Sequence, residues 1–131
     1  MKNLQLSLKT KWFEMTKAGI KTEDYRLFTP YWCNRLLLWY GISLSKKEWN
    51  ERIFEGHASP DAIIKAYIEA GIVTFKAFTQ NTMILGYPKK GDTERTLILG
   101  HKGIEIRTGN HEWGAEPGKM YFVIKHGNKL N

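Results

Sequence analysis

The residues best suited to chemistry in this chain lie close together, between Gly19 and Arg26. Lys21 carries a flexible ammonium group, Asp24 a carboxylate, and Arg26 a planar guanidinium with several donors. In an extended segment the side chains alternate between two faces, so Lys21 would share one with Glu23, and Asp24 the other with Arg26. This pattern predicts that the side chains of one face form a polar site on the wall of a groove. The alternative is a solvated surface strand whose charges compensate each other.

Lys21 is also a candidate catalytic group. A lysine that is partly desolvated in a cleft loses its proton more readily, and it can then act as a general base or as a nucleophile. A carboxylate partner such as Glu23 or Asp24 has the opposite effect, because it favours the charged ammonium. The sequence leaves these two alternatives open.

Aromatic residues accompany the charges on both sides. Trp12 precedes the segment, and Tyr31 and Trp32 follow it. Basic residues interleaved with aromatic ones are typical of proteins that bind single-stranded nucleic acid, where bases stack on rings and phosphates meet cations. The same three aromatics could equally belong to the core. Trp113, which precedes Gly114, has the same two interpretations: a stacking platform, or a plug at one end of the fold.

The composition indicates a basic globular domain. The 131 residues include 42% hydrophobic residues and carry a formal net charge of +7. Such a chain can bury a core without disulfides, and its charge attracts phosphate backbones. The lone Cys33 excludes an intramolecular disulfide and is interpreted as a small buried hydrophobe. Because no apolar run has the length of a signal peptide or a membrane span, we expect a cytoplasmic protein without a membrane partner.

Several function classes lack their motifs in this sequence. The histidines at 57, 101, 111 and 126 are far apart, and neither Cys-x-x-Cys nor His-Glu-x-x-His accompanies them. Zinc sites usually show such spacings. Glycine-rich dinucleotide motifs, phosphate-binding loops and nucleophile elbows are also missing. We therefore expect no metal and no cofactor.

The first third of the chain predicts a strand, a helix and a second strand. Apolar residues alternate with polar ones over 4–8, which is typical of a half-buried strand. Thr10 can cap the following helix, and Gly19 stands where a left-handed residue would close it. The segment at about 21–27 forms the second strand, and Pro30-Tyr31-Trp32 is expected to break regular structure.

Two helices are predicted in the middle of the chain, as an insertion at about 43–71. Ser45 and Glu48 fit a capping box, and Ser59-Pro60 is typical of a helix start. After residue 71 the pattern changes to antiparallel strands with a hairpin tip at 88–92. This order predicts an α+β fold, a small mixed β-barrel with flanking helices, as a single domain over 1–131. The predicted later strands are 72–78, 82–85, 95–99, 104–107 and 120–125.

The segment also matches a known family pattern. Gly19-x-Lys21-Thr22-x-Asp24-x-Arg26, preceded by a leucine-rich strand and a Trp-Phe helix, resembles the signature of ASCH domains. These domains belong to the PUA-like superfamily of small β-barrels, and the match is similar to a bacterial and phage subgroup. Further matching stretches are Pro30-Tyr31-Trp32, Arg35-Leu36, Gly86-Tyr87, Gly103 to Ile106, Trp113-Gly114 and Tyr121 to Ile124.

The resemblance implies a cleft beside the first helix that binds RNA. Carried onto this chain, Lys21, Asp24 and Arg26 line the cleft, with Thr22 orienting them. The family usually has glutamate at this position. Asp24 is one methylene shorter, so its carboxylate reaches less far. Stacking would come from Trp12, Tyr31 or Trp32.

The resemblance also implies an enzymatic alternative. Some small ASCH proteins are amidohydrolases of N4-acetylcytidine, with a catalytic lysine at the place of Lys21, and a ribonuclease activity is known in the family. The threonine nucleophile of the amidohydrolases falls at Asp24, so this chain departs from their pattern. The expected partner is therefore RNA or another nucleic acid, or else a nucleoside-like small molecule that a hydrolase would process with Lys21 and Asp24. A third interpretation is a phage interaction protein whose exposed aromatic face binds a host protein.

Overall fold

A computed structural model describes residues 2–86 and 93–131 of the protein. The predicted hairpin tip at 88–92 lies outside the described residues. Within them, four α-helices accompany a curled five-stranded half-barrel sheet, which agrees with the predicted α+β class and a barrel-like sheet. None of these helices is long and apolar enough to cross a membrane.

The sheet is mixed, with the strand order β1-β5-β6-β7-β2. β1 runs parallel to β5, and the other neighbours are antiparallel. β3 and β4 form a separate antiparallel pair. The elements are β1 (Asn3–Leu8), α1 (Thr10–Lys17), β2 (Glu23–Arg26), α2 (Pro30–Leu36), β3 (Leu37–Trp39), α3 (Lys46–Trp49) with a π-helical turn at Asn50–Phe54, α4 (Pro60–Glu69), β4 (Val73–Phe75), β5 (Gln80–Leu85), a 3-10 turn at Thr93–Arg95, β6 (Thr96–Thr108), a 3-10 turn at His111–Trp113, and β7 (Met120–Lys129).

Two arginine side chains cover the outer edge of β1. Arg26, at the end of β2, donates from Nη2 to the Ser7 carbonyl at 3.0 Å, and Arg35 of α2 donates from Nη2 to the Gln5 carbonyl at 2.7 Å. Carbonyl groups on a bare edge are open to pairing with another chain. The guanidinium groups therefore supply donors that a neighbouring strand would otherwise supply. Arg26 links β2 to β1, and Arg35 links α2 to β1.

The prediction of separate strands at 95–99 and 104–107 is wrong, because one long strand, β6, contains both. Its pairing with β7 shifts register twice, between Leu99 and His101 and again between His101 and Ile104. The first shift sets Gly100 against two residues of β7, and the second sets two residues of β6 against one. Such β-bulges bend a strand without ending it. Glycines that predicted a turn in the sequence therefore mark bulges.

The helix starts agree with the predictions with two exceptions. The capping box of Ser45 and Glu48 is confirmed, with both reciprocal hydrogen bonds at 3.1 Å. Pro30 begins α2, so the prediction of irregular chain there is wrong. The signal was the preceding Thr29, whose Oγ1 accepts from the backbone of Trp32 at 3.2 Å. The other exception is α1, where Lys9 is the N-cap and Thr10 is already helical.

The helical insertion shares the main hydrophobic core. Trp49, Ile53 and Ile64 are fully buried in the same cluster as Leu6 of β1. Cys33 is also fully buried there, as predicted, and burial raises the pKa of its thiol to about 12. The insertion thus packs against the sheet, so it contributes to the same core that positions the functional segment.

Candidate functional site

The segment predicted as the site is buried rather than solvated. Lys21 is 2% exposed and Asp24 is 5% exposed. Nζ of Lys21 donates to Oδ1 of Asp24 at 3.1 Å and to the backbone carbonyl of Glu23 at 2.5 Å. Nε and Nη2 of Arg26 both lie 2.7 Å from Oδ2 of Asp24. The interpretation as a solvated surface strand is therefore wrong, since one buried carboxylate joins two cations.

The prediction that Lys21 and Glu23 share a face is wrong for the lysine. β2 begins at Glu23, so the two-residue alternation of a strand does not reach Lys21. Lys21 instead follows the end of α1, where Gly19 has a φ of +77° and the Lys21 amide donates to the carbonyl of Met15 at 3.1 Å. This turn directs the ammonium toward Asp24. Within the strand the alternation holds, because Asp24 and Arg26 meet on one face.

The charges around Asp24 favour the ionised form of its carboxylate. Burial of Asp24 disfavours its charge, but the positive charges of Arg26 and Lys21 outweigh that effect and hold the pKa of Asp24 below its ordinary value. Both carboxylate oxygens are occupied by these cations. Asp24 is thus placed to fix Arg26 and Lys21 in position.

A second ion pair on the other face of β2 was missed by the sequence reasoning. Arg107 binds both oxygens of Glu23, at 2.6 and 3.0 Å. The Tyr25 hydroxyl donates to Glu23 at 2.6 Å and accepts from the backbone amide of Asn110 at 2.8 Å. Burial opposes the charge of Glu23, yet the hydrogen bonds from Arg107 and Tyr25 leave its pKa lowered. No sequence signal links Glu23 to Arg107, which lies 84 residues away.

Arg26 and Asp24 line a cavity of about 220 Å³ beside α1, which we name the aromatic cavity. Its wall includes Trp12 of α1 and the half-buried Trp113. Gly114 has a φ of +101°, and a Cβ added there would lie 2.9 Å from the Trp12 ring. A larger residue would displace the indole. The described residues of the lining are Ser7, Leu8, Lys9, Trp12, Asp24, Tyr25, Arg26, Trp113, Gly114 and Tyr121.

Lys21 and Thr22 lie on a different cavity of about 330 Å³, which we name the lysine cavity. Thr22 is exposed, and among the described residues its side chain makes no hydrogen bond to Asp24 or Arg26. The expected orienting role of Thr22 is therefore taken by other contacts. The lining also includes Thr16, Lys17, Gly19, Leu97, Leu99, Lys102, His126, Gly127, Asn128 and Lys129.

Tyr31 and Trp32 lie outside the linings of both cavities. The guanidinium groups of Arg26 and Arg35 each lie 4.9 Å from the centre of the Trp32 ring, and Arg35 lies 5.7 Å from the Tyr31 ring. Arg35 also donates to the Tyr31 hydroxyl at 3.3 Å. Cation–π contacts of this kind orient the arginines. Of the three predicted stacking residues, only Trp12 joins Asp24 and Arg26 at a cavity.

Neither the arrangement of potential metal ligands nor comparison with known proteins assigns a further role to these residues. Within residues 2–86 and 93–131, no group of three or more His, Cys, Asp or Glu side chains is placed to hold a metal ion. Comparisons of the chain with protein-family models, with curated proteins and with solved structures found no match.

Proposed function

We propose that this chain is a nucleic-acid-binding module that takes an unpaired base of single-stranded RNA into the aromatic cavity. The observation that carries the proposal is the presence of Arg26 on the same cavity wall as Trp12 and Trp113. An indole that stacks on a base contributes about 1–3 kcal/mol, and an arginine can contact a phosphate or a base edge. The net charge of +7 adds long-range attraction for a phosphate backbone.

Arg26 has donors to spare for such a ligand. Its Nε and Nη2 groups are used by Asp24 and by the Ser7 carbonyl, whereas the hydrogen bonds among the described residues leave Nη1 available. Trp32 supports the guanidinium plane from one side. A side chain held at this many points loses little entropy on binding, so Arg26 is preorganised to contact a ligand. In this proposal Asp24 is a positioning residue.

The proposed type of module is an ASCH domain of the PUA-like superfamily. Three observations support it: the motif from Gly19 to Arg26, the curled half-barrel, and a cavity beside α1 that the motif lines. Because unrelated functions recur on one fold, the RNA-binding proposal rests on the cavity rather than on the family analogy.

The geometry supports the hydrolase or ribonuclease alternative less well. A general base or nucleophile needs a free lone pair within reach of the substrate. Lys21 is 2% exposed, and its ammonium donates to Asp24 and to the Glu23 carbonyl. Both partners keep that nitrogen in use as a hydrogen-bond donor. The structure thus favours a binding site whose charged centre is held fixed.

The test is a fluorescence-anisotropy titration of labelled single-stranded RNA at low and at moderate salt. Trp12→Leu should weaken binding about tenfold through the lost stacking, and wild-type affinity should fall steeply with salt. Tyr40→Asn is the matched control, because Tyr40 is 67% exposed and lies outside the lining of the aromatic cavity. Equal affinities of wild type and Trp12→Leu would contradict the proposal.

A further inference from the structure

The lysine cavity concentrates positive charge from three elements. Lys17 extends from α1, Lys102 from β6 and Lys129 from β7, and none of the described lining residues is an aspartate or glutamate. Lys21 adds little net charge, since Asp24 compensates it. The volume of about 330 Å³ lies at the small end of the range for small-molecule sites, roughly 300–1,000 Å³. The cavity therefore has the size and charge to hold a small anion-bearing group.

A buried hydrogen-bond network determines the proton on His126, which lines this cavity. Nδ2 of the fully buried Asn81 donates to the Lys125 carbonyl at 3.3 Å, which fixes the orientation of the amide. The same Nδ2 lies 2.8 Å from Nδ1 of His126, and Oδ1 of Asn81 lies 2.8 Å from Nδ1 of His101. Nδ1 of His126 must therefore accept a hydrogen bond. Its ring proton is then on Nε2.

Nε2 of His126 is the unsatisfied member of this network. This nitrogen is buried and has no hydrogen-bond partner among the described residues, and His126 as a whole is 8% exposed. Native structures rarely leave a buried donor unpaired, so this N–H is available to an acceptor such as an ordered water or a ligand oxygen. The pKa of His126 is lowered to about 4, chiefly by burial. At neutral pH the ring is therefore an uncharged donor.

The two β-bulges hold the histidine at the cavity wall. They lie immediately on either side of the pair between His101 and His126. Bulges re-aim side chains and are common beside functional sites. Gly127, next to His126, packs against the backbone of Gly100 and the stem of Lys102, since a Cβ there would lie 3.4 Å from each.

We infer that the lysine cavity binds a phosphate monoester group. Phosphate oxygens are hydrogen-bond acceptors, so they suit the Nε2–H of His126, and lysines are common phosphate ligands acting as point charges. A dianion would also be attracted by the positive charges of Lys17 and Lys102, which line the cavity. This inference goes beyond the RNA-base site and does not require it. The group could belong to a free mononucleotide or to the 5′ end of an RNA, and both sources present the same chemistry.

The experiment follows the ring nitrogens of His126 by long-range ¹H–¹⁵N NMR while inorganic phosphate is added. Phosphate should shift the Nε2 resonance, and Lys17→Gln/Lys102→Gln should weaken binding about tenfold through two lost charge contacts. Both lysines are exposed, so this variant is expected to fold. Lys47→Gln/Lys65→Gln removes the same charge outside the cavity lining and should change the affinity less than about twofold.

Further titrations identify the source of the phosphate group. Adenosine 5′-monophosphate tests a free nucleotide, and an oligoribonucleotide with a 5′-phosphate, compared with the same chain with a 5′-hydroxyl, tests an RNA end. The inference is supported if adenosine 5′-monophosphate shifts Nε2 of His126, or if the RNA with a 5′-phosphate binds more tightly than the RNA with a 5′-hydroxyl. The inference is overturned if no probe shifts Nε2 of His126, or if the two lysine double variants weaken binding equally. Trp12→Leu separates the proposals, because it should impair RNA binding and leave the phosphate response unchanged.

Discussion

Nζ of Lys21 lies 3.1 Å from Oδ1 of Asp24, and this buried ion pair forms part of the boundary between the lysine cavity and the aromatic cavity. Lys21 lies on the wall of the lysine cavity, and Asp24 lies on the wall of the aromatic cavity. The ammonium of Lys21 and the carboxylate of Asp24 bind each other. The groups that remain for ligands are therefore their neighbours: Arg26 on one side, and His126 with the lysines on the other.

Lys21→Met should destabilise the protein by about 3 kcal/mol, because removing one partner leaves a buried carboxylate short of a cation. Urea denaturation measures this loss. In Lys21→Met/Asp24→Asn the loss should be smaller than the sum of the two single losses, since the two side chains interact directly. Lys47→Met, at an exposed lysine, should cost less than about 0.5 kcal/mol. If Lys21→Met is as stable as Lys47→Met, the ion pair has no structural role.

Tyr25→Phe should cost about 1–3 kcal/mol of stability, because the hydroxyl both donates to Glu23 and accepts from the Asn110 amide. The loss should also loosen the turn at His111–Trp113, which follows Asn110. Urea denaturation gives the stability, and amide hydrogen exchange of residues 110–114 reports the turn. Tyr40→Phe, at an exposed tyrosine, is the control. Unchanged exchange in Tyr25→Phe would contradict this role.

His126 should make stability depend on pH in acid solution. Burial lowers its pKa to about 4, against about 6.5 in an unfolded chain. As the pH falls from 6.5, the unfolded state takes up the proton first, so stability decreases until the folded state is also protonated near pH 4. The loss is on the order of 3 kcal/mol. The charged neighbours that influence this ring are Asp24, Lys21, His101 and Glu23.

Urea denaturation of wild type and His126→Gln between pH 7 and pH 4 tests this prediction. The wild type should lose more stability over that range than the variant, since glutamine does not titrate. NMR titration of the His126 ring should give a midpoint near 4. Parallel pH profiles of the two proteins would show that another group is responsible.

Gly114→Ala should weaken RNA binding by more than its effect on stability explains. The added Cβ would lie 2.9 Å from Cζ2 of Trp12, so the indole must move from the aromatic cavity wall. Gly118→Ala is a matched control, because Gly118 also has a positive φ of +77° but has no atom within 4 Å of the added Cβ. Both variants carry a backbone strain of about 1 kcal/mol. RNA anisotropy titrations should therefore separate them, and equal affinities would mean that Trp12 does not bind RNA.

The sequence by itself determined the features that depend on contacts within a few residues. The alternation at 4–8, the capping box of Ser45 and Glu48, and the left-handed Gly19 after α1 were all predicted and are present. The burial of Cys33 was also predictable from its type. These signals are local because helix caps and strand alternation are decided by the nearest backbone groups.

Only the tertiary structure decided which side chains meet. The pairing of Arg107 with Glu23 spans 84 residues, and Asn81 contacts His126 across 45. Such partners are set by strand order and register, and a bulge of one residue changes which side chains face each other. The ammonium of Lys21 pairs with the carboxylate of Asp24 rather than with that of Glu23, because β2 begins two residues later than the lysine. The residue types of the site were readable from the chain, whereas their division between two cavities required the fold.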